Sequence, residues 1–566
     1  MKRFLRYLAG AALLVALFWW VSRGAAEPEI EQGSVLVLEL SGQYVDGPVP
    51  LMARLRGERV QTLLSLTSEL RKAARDDRLE GVVFRVRSLD VGWAQAEEIR
   101  EAILALHEHG RKTLAVLELE GFGNAPYYIA SAAQQIVATP GGNAPFLGLA
   151  AEYLFMGGLF EKLGVEVEYE RIGKYKSAVE SYAGKGMSDA SREQTDALID
   201  SIDAYYVSAI AAARGRSEEQ VRLAIDSAPS SPAELEEHGL VDEIANWDTA
   251  LEAFGDQPRV EADVYSRVTP GAIGFQPAAH FAIVNAVGPV VVGKGTFSGS
   301  QAVMASDTVA EAIRDAAADA QVKAILLRID SPGGSPLASD LIWHAIRETR
   351  AKGKPVVASL SNVAASGGYY VASAADAIVS QPQTLTGSIG VFVIRPVLAG
   401  LFEKLGLGVE SITRGERADL LLSTVPLSAE TRAVLRQNVE NTYQLFLGRV
   451  SEGRGMTVEE VDAVARGRVW SGAQAHEVGL VDRLGGIPEA VLAAKEEIGL
   501  DADADVLLIQ YPPPKPVAQQ LVEALQGGVL AALPDFGGSF AELAGMLRVL
   551  PTGTPLLIAS GWVEVH

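Results

Sequence analysis

The sequence predicts an α/β fold written twice in tandem, each copy a mostly parallel sheet with flanking helices, behind an N-terminal apolar segment. Two observations carry the duplication and the fold class. Leu159-Phe160-Glu161-Lys162-Leu163-Gly164 recurs letter for letter as Leu401-Phe402-Glu403-Lys404-Leu405-Gly406, an offset of 401 − 159 = 242. Tyr127-Tyr128 and the Ile-Ala-Ser-Ala-Ala that follows match Tyr369-Tyr370 and Val-Ala-Ser-Ala-Ala, again at 242. His238-Gly239-Leu240-Val241-Asp242 echoes Val478-Gly479-Leu480-Val481-Asp482 at 240, and Leu36–Gly42 loosely parallels Ile283–Gly288. Collinear matches at nearly one offset mean a repeated unit. The copies run over roughly 30–260 and 280–500, which divides the chain into 1–26, 27–270, 271–500 and a tail, 501–566.

Within each copy, short apolar runs alternate with helical spacing. Val82-Val83-Phe84 and Ala324-Ile325-Leu326-Leu327 read as buried strands. Helices follow with apolar positions at Ile99, Ile103, Leu106 and at Leu341, Ala345, Ile346; second strands come at Leu114–Leu117 and Val356–Leu360. Strands separated by helices of this length imply βαβ crossovers and a parallel sheet. Segments around 190–222 and 428–465 read as longer helices outside that core. The tail opens with a stiff Tyr511-Pro512-Pro513-Pro514-Lys515-Pro516 connector and carries an amphipathic stretch near 517–531.

At the N-terminus, Lys2, Arg3 and Arg6 precede an apolar run from Tyr7 to Val21, followed by Arg23. With Phe4 and Leu5 counted and Arg6 snorkelling, the run approaches the roughly 17–20 residues a bilayer requires. A signal peptide cleaved near Gly24-Ala25-Ala26 and a retained anchor both fit. Phe18-Trp19-Trp20 resembles an interfacial aromatic belt and favours the anchor, and the basic flank keeps that end cytoplasmic. With 566 residues, 48% apolar, the rest holds two or three full cores. A net charge of −22 with scattered Lys and Arg argues against nucleic acid. There is no cysteine, so thiol nucleophiles, disulfides and thiolate metal sites are excluded.

Two segments of the second copy carry chemistry. Asp330-Ser331-Pro332-Gly333-Gly334-Ser335 follows a buried strand; bare glycine backbone there lets N–H groups approach an anion or oxyanion, although such turns are often only tight connections. Ser361-Asn362-Val363-Ala364-Ala365-Ser366-Gly367-Gly368 places a serine among small residues at a strand-to-helix turn, the arrangement of a projecting nucleophile; a helix-capping serine reads as well on this segment alone. No histidine lies between His344 and His476, and His107 and His109 point to different sides of a helix, so neither a Ser-His-Asp triad nor a zinc site has candidates. The first copy supplies a different base. Lys176, in Gly173-Lys174-Tyr175-Lys176-Ser177-Ala178-Val179-Glu180, aligns with Ala418, while Ser366 aligns with Asn124 and the Ser-Pro-Gly-Gly turn with Leu89-Asp90-Val91-Gly92. Each copy holds half a site.

The Tyr-Lys-Ser-Ala-x-Glu segment, the Asp-Ser-Pro-Gly-Gly turn and the Ala-Ala-Ser-Gly-Gly-Tyr segment together resemble signal peptide peptidase A, long form. So do Thr386-Gly387-Ser388-Ile389-Gly390 and Gly467-Arg468-Val469-Trp470-Ser471-Gly472. The resemblance covers about 30–500. It implies a Clp-protease/crotonase-like fold and a membrane-anchored serine endopeptidase with a Ser-Lys dyad. It also implies no cofactor or metal, a tetrameric homo-oligomer, and apolar substrates such as signal peptides left in the bacterial inner membrane, cut on its periplasmic side. It assigns Ser366 as nucleophile, Lys176 as general base, Ser388 as the group orienting the lysine, and the Gly333 and Gly367 amides as the oxyanion hole. Ser181 departs from the family, which usually has proline there. A crotonase-like acyl-CoA-processing enzyme and a non-catalytic membrane scaffold are the alternatives.

Overall fold

The structure is a computed structural model that describes residues 27–513, apart from 50–52, 54, 55, 122, 296, 299 and 300, together with Leu557–Ile558. The expected anchor and the amphipathic stretch near 517–531 lie outside the described residues. Among the described residues no helix is long and apolar enough to cross a membrane.

The first copy contains β1 (Ser34–Val45), α1 (Leu63–Arg75), β2 (Leu79–Asp90), α2 (Trp93–Glu108), β3 (Lys112–Leu117), α3 (Asn124–Ala130), β4 (Gln135–Ala138), α4 (Gly157–Leu163), β5 (Glu166–Ile172), α5 (Asp189–Arg214), β6 (Glu243–Ile244) and β7 (Arg259–Glu261). Its sheet runs β1-β2-β3-β4-β6 with β7 beside β1, all parallel. The second copy repeats the order: β8 (Ala279–Val287), α6 (Ser306–Ala318), β9 (Val322–Ser331), α7 (Pro336–Ala351), β10 (Val356–Ala365), α8 (Gly367–Ala372), β11 (Ala377–Ser380), β12 (Leu385–Gly387), β13 (Val391–Val397), α9 (Ala399–Lys404), α10 (Ala429–Arg454), β14 (Val469–Ser471), α11 (Ile487–Glu497) and β15 (Val506–Tyr511). Here β15-β8-β9-β10-β11 are parallel neighbours, and β12 continues alongside the end of β10 before turning to an antiparallel contact with β14.

The recurring letters have a structural reason. Tyr127 Oη donates to the Leu240 carbonyl at 2.8 Å, and Tyr369 Oη to the Leu480 carbonyl at 2.8 Å. Asp242 and Asp482 accept from the amides of Ile136 and Ile378, fastening each Gly-Leu-Val-Asp turn to its sheet. Buried tyrosines need partners for their hydroxyls, so each motif is kept as a pair of segments.

Three boundaries differ from the sequence reading. The second sheet does not stop at residue 500: Val506–Tyr511 adds β15 beside β8, as Arg259–Glu261 adds β7 beside β1. The strand expected over Val356–Leu360 runs on to Ala365, because β10 switches partners from β11 to β12 and stays paired. The long helical segments break at Gly215 and Gly455, each left-handed at a helix C-terminus, where glycine pays no Cβ penalty. On α7 the core-facing residues are Ile342, Ala345 and Ile346, with Leu341 turned to solvent.

The copies also join. β5 of the first copy pairs antiparallel with β13 of the second over seven residues, from Ile172 opposite Val391 to Glu166 opposite Val397. This ribbon carries the chain after β5 into the second copy.

Candidate active site

β10 delivers Ser366. Its N–H is held by the Gly387 carbonyl at 2.8 Å, and its φ of +54° lies in the left-handed region, costly for a residue with a side chain. The hydroxyl makes no capping bond to α8, which removes the capping reading. It does not project into solvent either: Ser366 is completely buried.

What occupies that hydroxyl comes from the other copy. Lys176 Nζ lies 2.8 Å from Ser366 Oγ, 2.8 Å from the Ser388 carbonyl and 3.0 Å from Ser388 Oγ. Lys176 is fully buried, and among the described residues no carboxylate lies within ion-pair distance of it. Burial alone therefore pushes its pKa well below the usual lysine value. Lys174, two residues back, is exposed and rests over the Tyr175 ring.

The lysine is clasped by a segment that includes the start of the Gly467–Gly472 motif, which the sequence reading quoted for the resemblance without giving it a role. The Arg466 carbonyl accepts from Tyr175 N (3.1 Å), Gly467 N donates to the Ile389 carbonyl (2.8 Å), and the Arg468 carbonyl accepts from Ser388 N (2.7 Å). The Arg468 guanidinium stacks on Tyr175 and Trp470 and bonds Glu193 at 3.0 Å. One short loop thus touches both the lysine loop and the Ser388 turn. Of the four non-glycine residues with positive φ among the described residues, Ser366, Ser388 and Arg466 belong here, so backbone strain is concentrated at this site. Gly467 has φ +80°, and a Cβ on it would sit 2.5 Å from Lys176 N and 2.6 Å from Lys176 Cβ. Gly467→Ala is expected to lower kcat by at least about tenfold, as displacement of the amine by a fraction of an ångström suffices; steady-state kinetics with a folded, thermally characterised variant checks this.

The Gly333–Gly334 turn stands beside Ser366. A Cβ on Gly367 would come 3.0 Å from Gly334 N and 3.2 Å from Gly333 Cα, so the turn and the start of α8 touch through bare backbone. The Gly333 amide is engaged, donating to Ser331 Oγ at 3.2 Å. The turn is also the partner of an extended segment: Gly333 and Gly334 pair antiparallel with Ile558 and Leu557.

Beneath the turn lies a second feature not foreseen from sequence. Arg328 on β9 is buried with Asp46 at 2.7 Å and Glu98 at 2.6 Å, both from the first copy, and donates to Ser359 and Ser361 at 2.9 and 3.0 Å. Asp330, two residues on, accepts from Val363 N at 3.0 Å, and burial pushes its carboxyl up to about 7. Burial likewise raises Glu98.

Fold and site together define the class: a serine peptidase assembled from two copies of one α/β domain. The chain belongs to peptidase family S49, whose profile matches residues 112–261 and 348–501, one stretch in each copy. It is 34% identical to the chloroplastic serine protease SPPA of Arabidopsis thaliana over 525 residues, covering 91% of this chain and 76% of that one. It is 31% identical to protease 4 of Salmonella typhi over 551 residues, 92% and 87% of the two chains. Protease 4 of Haemophilus influenzae is 28% identical over 531 residues, 88% and 85%.

Proposed function

We propose that this serine peptidase works by a Ser-Lys dyad shared between its copies, and that its substrates are extended apolar peptides, signal peptides remaining in the membrane among them. The observation that carries the reading is the 2.8 Å contact between the Lys176 amine and the Ser366 hydroxyl, with no carboxylate within ion-pair distance of the amine among the described residues. A neutral amine has one lone pair and two N–H bonds. The lone pair accepts the Ser366 proton, and the N–H bonds donate to the two oxygens of Ser388, which orients the amine.

The steps follow. Ser366 Oγ attacks the scissile carbonyl carbon as its proton passes to Nζ. The oxyanion accepts hydrogen bonds from Gly367 N–H and from Gly333 N–H, the latter exchanging its bond to Ser331 Oγ for one to substrate. The Lys176 ammonium then gives its proton to the leaving amine nitrogen, leaving an acyl-enzyme on Ser366. A water molecule, deprotonated by the regenerated amine, hydrolyses that ester. Each oxyanion donor contributes roughly 3 kcal/mol to the transition state.

Peptide as the substrate class is supported by the antiparallel pairing on Gly333–Gly334, since a turn that accepts one extended segment can accept another by strand addition. The apolar N-terminal segment supports an anchored enzyme with its body outside the cytoplasm, at the bacterial inner membrane. Ser366→Ala is expected to abolish hydrolysis of an apolar peptide, whereas Lys174→Ala, altering an exposed ammonium, leaves it within about twofold. Turnover by Ser366→Ala at the wild-type rate would overturn the reading.

A further inference from the structure

A cationic and aromatic cavity borders the loop that carries the lysine. Its volume is about 340 Å³, and Lys174, Tyr175, Arg466, Arg468 and Trp470 line it. The first two belong to the first copy and the other three to the second, so both copies build it. The two loops meet through backbone. Tyr175 N donates to the Arg466 carbonyl at 3.1 Å, and Gly173, with φ +99°, lies so close to Arg466 that no Cβ would fit. The fold itself does not ask for these side chains. The tyrosines and the Gly-Leu-Val-Asp turns that fasten each sheet recur in both copies, whereas the cavity residues do not. At the offset of 242, Lys174 and Tyr175 correspond to Glu416 and Arg417. At the offset of 240, Arg466, Arg468 and Trp470 correspond to Asp226, Ala228 and Ser230.

Three cations are therefore gathered around one space in a chain of net charge −22. Arg466 pairs with Asp462 at 2.6 Å and Arg468 with Glu193 at 3.0 Å. Both carboxylates are already shared: Asp462 accepts from Tyr443 Oη at 2.6 Å and Glu193 from Tyr175 Oη at 2.8 Å. Lys174 is exposed and makes no ion pair among the described residues; its ammonium lies 4.4 Å from the Tyr175 ring centroid. Arg468 is held flat between Tyr175 and Trp470, 4.9 and 4.4 Å from their centroids. One positive charge is left uncompensated, and two guanidinium forks and an ammonium border the same cavity.

We infer that this cavity binds a phosphate group, free or carried on a lipid headgroup, and that its occupancy retunes the dyad. The binding stands by itself; its effect on catalysis rests on the dyad reading above. Guanidinium forks bond phosphate oxygens in pairs and an ammonium adds a point charge. Phosphate also brings more charge and more acceptor oxygens than a carboxylate, which suits three donor groups. The effect follows from position. Tyr175 is the chain neighbour of Lys176, and Gly467 packs directly against Lys176. Among the described residues the amine itself meets only Ser366 and Ser388, while Arg171 donates to the Lys176 carbonyl at 3.2 Å and pairs with Glu180 at 2.9 Å. A negative charge brought into the cavity favours the ammonium form of Lys176. Occupancy therefore moves the onset of activity to higher pH and slows the enzyme below its plateau, leaving the plateau rate unchanged.

The test uses the full chain in detergent, in phosphate-free buffer of fixed ionic strength, titrated with inorganic phosphate and followed by phosphorus NMR line width. Saturable binding is expected, weakened at least about fivefold by Lys174→Gln. Lys185→Gln, which removes an exposed lysine paired with Glu161 outside the cavity, is expected to bind as wild type does. In the same samples, fluorophosphonate labelling of Ser366 should rise about half a pH unit later with phosphate bound, and Lys174→Gln should show no such displacement. Phosphatidylglycerol in the micelles, compared with diacylglycerol, separates the sources. A displacement with phosphatidylglycerol alone assigns the headgroup, and one with inorganic phosphate alone assigns the free ion. No saturable binding of either, equal binding by Lys174→Gln, or binding that leaves the pH profile in place would overturn the inference. Binding is read without turnover, so its failure is distinct from failure of the proposed chemistry.

Discussion

Lys176→Met is expected to lower peptide hydrolysis by at least about 10³-fold while leaving the protein folded and, at neutral pH, no less stable. Methionine fills the space of the lysine stem but offers no lone pair of sufficient basicity, so the general-base contribution, typically 10²–10⁴-fold, is lost together with the proton returned to the leaving group. The stability effect has a definite sign. Burial lowers the folded-state pKa of Lys176, so between that depressed pKa and the usual lysine range folding strips a proton from this side chain. The unfolded state then binds more protons, and wild-type stability rises with pH in that window. The variant lacks this slope. Its advantage over wild type therefore widens as pH falls, by up to about 1.4 kcal/mol per pH unit, and levels off below the folded-state pKa. Urea unfolding of both proteins across pH measures it; an advantage that shrank toward acid pH would contradict burial as the cause. Wild-type activity runs the same way, rising with pH through that depressed pKa as the amine loses its proton.

Arg328→Met is expected to destabilise the protein by about 3–5 kcal/mol at neutral pH, because it leaves Asp46 and Glu98 buried without their cation. The loss should be largest at high pH. As pH falls, Glu98 and Asp330, whose carboxyls burial already raises, take up protons in the folded state, and the deficit narrows. Adding Asp46→Asn and Glu98→Gln to Arg328→Met should recover much of the loss, since neutral partners need no cation. Activity should fall with stability, because β9 carries Arg328 and leads directly into the Gly333–Gly334 turn, three residues beyond Asp330. Urea midpoints of the single and triple variants at two pH values decide the matter, and a loss under about 1 kcal/mol at neutral pH would remove the network from the account.

The repeat made the architecture legible, since letters fixed by tertiary bonds, such as Tyr127 to Leu240 and Tyr369 to Leu480, survive in both copies. It also exposed the half-sites: a lysine facing an alanine and a serine facing an asparagine are visible without coordinates. The rest was hidden for physical reasons. Gly467-Arg468 was visible as part of a motif, but its role was not: the segment acts through backbone carbonyls and the missing Cβ of Gly467, which no side-chain pattern announces. Arg328 sits at the end of an apolar strand, and its partners lie 282 and 230 residues earlier in the chain, beyond the reach of any local periodicity. β15 follows an acidic stretch and abuts a proline run, so its six residues read as tail although they complete a sheet. The strand to Ala365 read as turn because Ala364 and Ala365 are small, yet small residues are what close packing beneath Ser366 admits.

The central claim is that the buried Lys176 amine, uncharged, activates Ser366 across the seam between the copies. Labelling of Ser366 by a fluorophosphonate probe, followed across pH in the full-length wild type and in Lys176→Met, tests it most directly. The account predicts wild-type labelling that climbs with pH to a plateau below the usual lysine range, and labelling of Lys176→Met slower by orders of magnitude at every pH. Labelling of Lys176→Met at the wild-type rate, or a wild-type profile that rises only near pH 10, would contradict it.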